Sequence, residues 1–437
     1  MLQKANKQLL CKITFWVNGL CVLFFINALM TDMFGVRNTI SRSTTDSMLL
    51  STTNSNSSSA TNKRSAKDSK PSLAVDARSP TDTKPSLTKN VRAPTDAQSP
   101  TDTKHSLATD TFSRRNKTTH IAFLKVHKAG STTIQNMLFR FGMKHHLNII
   151  LPFSNNQLKT KAKEMPITAG QHNDIFALHT TYNKDFFDSL LPADYVNIGI
   201  VREPLSRMIS AAYYHRDVYQ VKYLRQVPRA NFIHNLVNYP EKYDRVIFSQ
   251  TRNTMARDFG FSAKWEQTDE KTIKKYLDEL NSQFLFVMIM EKIDESLVFL
   301  RRLLNWSLAD ILYLKTNEHK HAPVILNKTE QAKLRRTSSF DFDIYEYFTK
   351  IFNEKINGVS PDFWEEVTYF KELIQGVSKF CHDPKNLEAE GKLLEVKPTK
   401  WDNSFHVSSS DCKWMSMKEL PFIEKLRNRH RRRHNLK

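Results

Sequence analysis

Two short stretches of this chain carry residue types that could manage a phosphate-like anion. The first is His127-Lys-Ala-Gly-Ser-Thr-Thr133, where Lys128 offers a point charge, Gly130 lets backbone approach an anion closely, and Ser131, Thr132 and Thr133 offer hydroxyls. The second is Arg202-Glu-Pro-Leu-Ser-Arg-Met-Ile-Ser210, where Arg202 brings a planar fork of donors and Ser210 a hydroxyl about two turns further on. Two histidines stand where a proton could be moved near neutral pH: His127, beside Lys128, and His179, in Ile175-Phe-Ala-Leu-His-Thr-Thr-Tyr182. Lys125 falls two residues before His127, on the same face of an extended segment. The spacing departs from the nucleotide-triphosphatase loop GxxxxGK[ST], since the lysine precedes the glycine, and no metal-binding pattern follows.

The elements that must hold these residues can be read locally. His120–Val126 is an apolar run that predicts a buried strand, and Ile134–Phe141 has apolar residues at helical spacing, so 127–133 is the turn between strand and helix. Tyr195–Val201 predicts a second buried strand, with Pro204 opening a helix behind it. Phe284–Met290 predicts a further strand and Asp294–Leu304 a helix, while 340–356 and 363–380 read as core helices. Strands alternating with helices predict an α/β fold around a parallel sheet with its site at the strand carboxyl ends.

At this point the sequence resembles the Golgi carbohydrate sulfotransferases that use 3′-phosphoadenosine-5′-phosphosulfate, and more closely the galactose 3-O-sulfotransferase family, which includes galactosylceramide sulfotransferase. The residues that carry the resemblance are Phe123–Thr133, Leu138–Gly142 with Lys144-His145, Val201–Pro204, Arg257–Phe261 and Asp294–Arg302, within about 119–425. The resemblance implies that Lys128, Gly130, Ser131, Thr132 and Thr133 bind the 5′-phosphosulfate, and Arg202 and Ser210 the 3′-phosphate. It also implies sulfuryl transfer to the 3-hydroxyl of galactose on a glycolipid or glycoprotein, with Lys128 at the leaving group. His127 is the first candidate base and His179, which resembles the histidine of uronyl 2-O-sulfotransferases, the second. Ala129 and Glu203 depart from the family's commoner Thr and Asn or Asp, and Glu203 adds a negative charge near an anionic nucleotide. No metal is required, and no Cys/His spacing suggests a zinc site. Transfer to a uronic acid or N-acetylgalactosamine of a glycosaminoglycan, or non-catalytic glycan binding, are the alternatives.

The remaining sequence sets the context. Of 437 residues, 65 are Lys or Arg and 45 Asp or Glu, a net charge of +20. The excess sits at the ends: residues 1–118 hold 17 basic and 8 acidic side chains, and 425–437 hold 7 basic and none acidic. That location argues against a nucleic-acid surface. Residues 1–12 read as a cytosolic tail. The uncharged run 13–30, with Lys4, Lys7 and Lys12 before it, reads as an uncleaved signal anchor in preference to a cleaved signal peptide. Residues 31–118 form a Ser/Thr/Pro-rich, repetitive stem, 119–424 the catalytic domain and 425–437 a basic tail whose simplest reading is a solvated end. This topology, type II in the Golgi membrane, puts sequons at Asn56, Asn116, Asn305 and Asn327 in the lumen. Cys381 and Cys412 are the two cysteines beyond the anchor, expected to pair in an oxidising compartment, with two buried free thiols as the other reading.

Overall fold

The computed structural model describes residues 116–262, 268–315, 323–388 and 392–436. The expected tail, anchor and most of the stem, with Asn56, lie outside the described residues. Among the described residues no helix is long and apolar enough to cross a membrane.

Four strands form one parallel sheet: β1 (Ile121–Phe123), β2 (Ile175–Phe176), β3 (Val196–Val201) and β4 (Phe284–Ile289), in the order β2-β1-β3-β4. β1 and β2 are wholly buried and β3 and β4 nearly so, which is why their sequences are continuous apolar runs without alternation. Helix α1 (Ser131–Lys144) follows β1, α2 (Lys184–Leu190) follows β2 and α3 (Pro204–Asp217) follows β3. Then come α4 (Thr254–Asp258), α5 (Glu270–Gln283), α6 (Ile293–Leu304), α7 (Ser339–Asn357) and α8 (Asp362–His382). α6 packs on β4 and α8, and α7 on β3, β4 and α4.

The chain leaves β1 toward β2 on one side and β3 toward β4 on the other, so the sheet's order reverses between β1 and β3. Loops beyond the carboxyl ends of those two strands separate there and leave a crevice. Both anion-type stretches of the sequence begin at this point.

The carboxyl-terminal region departs from the expected free end. A hairpin, β5 (Leu393–Val396) with β6 (Phe405–Ser408), leads to α9 (Ser409–Met415) and α10 (Glu419–Arg433), both packed on α1. Phe422, Ile423 and Leu426 of α10 are buried in the core, and Arg427 and His430 are buried as well. Arg427 donates its Nε to the Pro152 carbonyl (2.8 Å), and His430 Nε2 lies 2.8 Å from the Pro166 carbonyl. The basic run is therefore the second half of a docked helix, held by Phe422, Ile423 and Leu426 and by its own buried Arg427 and His430.

Cys381, at the end of α8, and Cys412, in α9, form a disulfide. Three sequons lie among the described residues. Asn116 and Asn327 are exposed, and Asn305 is half-buried at the α6 carboxyl end. Asn327 Oδ1 accepts the Glu330 N–H as the cap of the helix that follows.

Candidate active site

All four strand ends feed one crevice. β1 delivers Lys125 to Thr133, β2 delivers His179, β3 delivers Arg202, and β4 delivers Met290. Gly130 takes φ +71°, and a Cβ there would lie 2.2 Å from the Met290 sulfur, so glycine is required both by the turn and by β4's close approach. Lys128 also adopts a left-handed φ of +61°, a strained conformation for a lysine that Arg202 helps to hold by donating Nη1 to the Lys128 carbonyl (3.1 Å).

The two helix starts differ. At α1 the N-cap is Gly130, which gives no side-chain cap, so the first-turn N–H groups of Ser131 and Thr132 face the crevice end unclaimed by a capping group. At α3 the N-cap is Glu203, whose carboxylate accepts the N–H groups of Leu205 (2.8 Å) and Ser206 (2.7 Å). The acidic departure at position 203 is thereby neutralised by its own helix, and an anion at this junction must rely on side chains, Arg202 foremost. Ser210 is half-buried on α3, and its hydroxyl makes no hydrogen bond among the described residues.

Of the predicted hydroxyls, Ser131 is buried and donates to the Val126 carbonyl (2.6 Å), bracing the loop and leaving its backbone N–H for a ligand. Thr132 Oγ1 lies 3.5 Å from Lys125 Nζ. Thr132 and Thr133 line a cleft with Tyr313, Leu314 and residues 415–418.

The cations fit an anionic ligand. Lys128 Nζ sits 3.6 Å from the centre of the Tyr214 ring and has no carboxylate partner among the described residues. Burial, then the charges of Arg202 and Lys125, push its pKa down to about 8. Burial followed by His127 and Lys128 likewise holds His215 at about 4. Lys128, set against Arg202 and Lys125 with no carboxylate of its own among the described residues, is a charge that a bound polyanion would relieve.

The two candidate bases stack, with ring centres 4.0 Å apart, but their hydrogen bonding differs. His127 Nδ1 lies 2.9 Å from both carboxylate oxygens of Asp258, at the end of α4, and its backbone N–H donates to Asp258 Oδ2 (2.7 Å). The buried carboxylate thus fixes the ring and leaves Nε2 without a hydrogen bond among the described residues. His179 Nδ1 donates to the Lys125 carbonyl (3.0 Å), so its Nε2 is the acceptor for Lys125 Nζ at 2.9 Å. Both nitrogens are engaged, and burial, then the proximity of Lys125 and His127, holds its pKa well below the ordinary imidazole range.

Two members of the site went unassigned in the sequence. Asp258 falls within the quoted Arg257–Phe261 stretch, with nothing local to reveal its partner 131 residues away. Glu419, at the head of α10, lies 3.3 Å from Lys125 Nζ and also accepts Asn156 Nδ2 (3.0 Å). Lys125 is 1% exposed, and burial lowers its pKa while Glu419 opposes that shift.

A parallel α/β sheet with a lysine-bearing, glycine-capped loop after the first strand and an arginine after its neighbour is of the α/β class whose crevice suits an anionic ligand. The family model for galactose-3-O-sulfotransferase matches residues 71–403, and the chain belongs to that family. It is similar to mouse galactose-3-O-sulfotransferase 2 (28% identical over 291 residues, 62% of this chain and 72% of that relative). It is also similar to mouse galactose-3-O-sulfotransferase 3 (31% over 251 residues, 54% and 57%) and to human galactosylceramide sulfotransferase (27% over 274 residues, 60% and 64%). The family match begins inside the segment read as stem and ends before Cys412 and Glu419.

Proposed function

We propose that this protein is a carbohydrate sulfotransferase that moves the sulfuryl group of 3′-phosphoadenosine-5′-phosphosulfate to the 3-hydroxyl of a galactose residue on a glycolipid or glycoprotein. The observation that carries the reading is the Asp258–His127 pair, with Nε2 open, beside the unpaired Lys128 at the uncapped start of α1. When bound, the donor supplies an activated sulfur whose bond to a phosphate oxygen breaks as the acceptor oxygen bonds to it. Lys128 and the N–H groups of Ser131 and Thr132 hold the phosphosulfate end, and Lys128 offsets charge on the departing phosphate. Arg202 and Ser210 hold the 3′-phosphate. His127 Nε2 takes the proton of the acceptor hydroxyl, and Asp258 stabilises the imidazolium that results. His179, with both nitrogens committed, braces His127 from behind.

The acceptor assignment follows the family and its relatives' names. Anchoring in the Golgi membrane with a lumenal catalytic domain is supported by the uncharged run 13–30, its flanking lysines and a disulfide suited to an oxidising compartment.

Labelled sulfate incorporation by the full chain across an acceptor array tests the proposal. Galactosides with a free 3-hydroxyl are the expected acceptors. Lys128→Ala is expected to abolish transfer, and His127→Ala to lower kcat about 10²- to 10⁴-fold while the nucleotide still binds. Transfer to a uronic acid or N-acetylgalactosamine alone would overturn the acceptor, and full activity in His127→Ala would overturn the base.

A further inference from the structure

At the opposite, amino-terminal ends of the strands, three side chains converge that the sulfuryl-transfer site does not use. His120 stands immediately before β1, and His172 and Asp174 just before β2. His120 Nε2 lies 3.4 Å and His172 Nδ1 3.2 Å from Asp174 Oδ1, and the three ligand atoms lie within 4.8 Å of one another. Among the described residues this is the one cluster of three such side chains placed to share an ion.

The outer contacts decide what stands between them. His120 Nδ1 is 2.7 Å from Asp194 Oδ1, so Nδ1 is taken by that carboxylate and Nε2 is the nitrogen left on the Asp174 side. That nitrogen faces Asp174 Oδ1, while Asp174 Oδ2 accepts the Asn148 N–H (2.5 Å). His120 Nε2 and His172 Nδ1 therefore converge on the one Asp174 oxygen that the Asn148 N–H does not take. Ligands held about 2.05 Å from a tetrahedral ion stand about 3.3 Å apart, which both measured edges match. A carboxylate behind a histidine is also the usual outer partner of a metal-bound imidazole.

We infer that His120, His172 and Asp174 bind one zinc ion, with Asp194 orienting His120 and solvent in the fourth position. Two imidazoles and one carboxylate suit zinc over magnesium or calcium, which prefer oxygen ligands. The ion ties together the segments entering β1 and β2 and, through Asp194, the one entering β3. Its role is to hold the sheet, because the reacting groups lie at the other ends of these strands. The spacing 120, 172, 174 follows no recognised motif, and only the parallel pairing of β1 with β2 brings it together.

The test uses the full-length chain purified without a histidine tag, with zinc chloride as the probe. Metal analysis after dialysis is expected to give one zinc per chain, and chelation to lower the thermal midpoint. His172→Ala, which alters an exposed side chain, is expected to lose the bound zinc and the chelator sensitivity while keeping galactoside sulfation at saturating substrate. Asp194→Asn is expected to weaken zinc about 10- to 100-fold. Absence of bound zinc in the wild-type chain, or undiminished zinc in folded His172→Ala, overturns the site. In the first case His120 is an imidazolium held between two aspartates. Because sulfation is read separately, failure here leaves the proposed activity standing.

Discussion

Lys128 carries opposing demands in a single side chain. Its ammonium is half enclosed, stacked on Tyr214 and set against two other cations, which is why its pKa falls to about 8. Burial weakens the charge, yet the same desolvation strengthens its hold on any anion that replaces the missing counter-charge. The sign of the resulting pH dependence is definite. Below about 8 the free protein already carries the proton, so an anionic nucleotide binds without proton uptake and its affinity is flat. Above about 8 a proton must be taken up on binding, and affinity falls by up to about tenfold per pH unit. His215, held at about 4 by burial and by His127 and Lys128, is neutral throughout this range and contributes no slope. Calorimetric titration with adenosine 3′,5′-bisphosphate between pH 6.5 and about 9.5 is expected to show this break, and Lys128→Arg to remove it, because a guanidinium keeps its charge. An affinity constant across that range in the wild-type chain would place the nucleotide phosphate away from Lys128.

The element with most leverage on the site is α10, the farthest from it in sequence. Its first residue, Glu419, reaches Lys125, which in turn donates to His179, which stacks on His127. Removing Glu419 leaves a buried ammonium without its carboxylate, a change that typically costs about 3 kcal/mol or more. Glu419→Ala is expected to lower stability to urea by about 3 kcal/mol, and Glu419→Leu combined with Lys125→Met to recover most of that loss. A single variant within about 0.5 kcal/mol of the parent would show that Lys125 is already neutral. The sequence made the local devices legible: strand, turn and helix from 120 to 144, the Arg202–Pro204 junction and the parallel α/β class all follow from apolar runs and helix-start residues. Partners joined across distance were not legible. Glu419 is 294 residues from Lys125 and lies just before the basic run 425–437, and charge counting does not show that Phe422, Ile423 and Leu426 dock the helix they share. Asp258 was within view but mute, since an aspartate shows its role only through the histidine it faces.

Across the whole molecule, the reversal of sheet order between β1 and β3 creates the crevice, and the carboxyl-terminal region closes one side of it. That wall is formed by residues 415–418, joining α9 to α10, which line the cleft with Thr132 and Thr133. Its attachment to the rest of the domain runs through α9 and α10 packing on α1 and through the Cys381–Cys412 disulfide, whose partners are 31 residues apart with Cα atoms 5.2 Å apart. A closed loop of that length restrains the unfolded chain by about 3–4 kcal/mol on the chain-entropy account. Both cysteines are buried, so cleavage by a mild reductant requires prior opening of the wall, whereas substitution removes the tie from the outset. Cys381→Ser with Cys412→Ser is therefore expected to lower the midpoint of urea unfolding by an amount corresponding to about 3 kcal/mol. Sulfation by the same variant should fail at urea concentrations below global unfolding, because the wall carrying Glu419 loosens first. Activity and tryptophan fluorescence followed in parallel, with Trp306 buried in the core and Trp414 on the wall, separate the two events. Coincident loss of activity and fluorescence would mean that the carboxyl-terminal wall unfolds with the sheet as one cooperative unit.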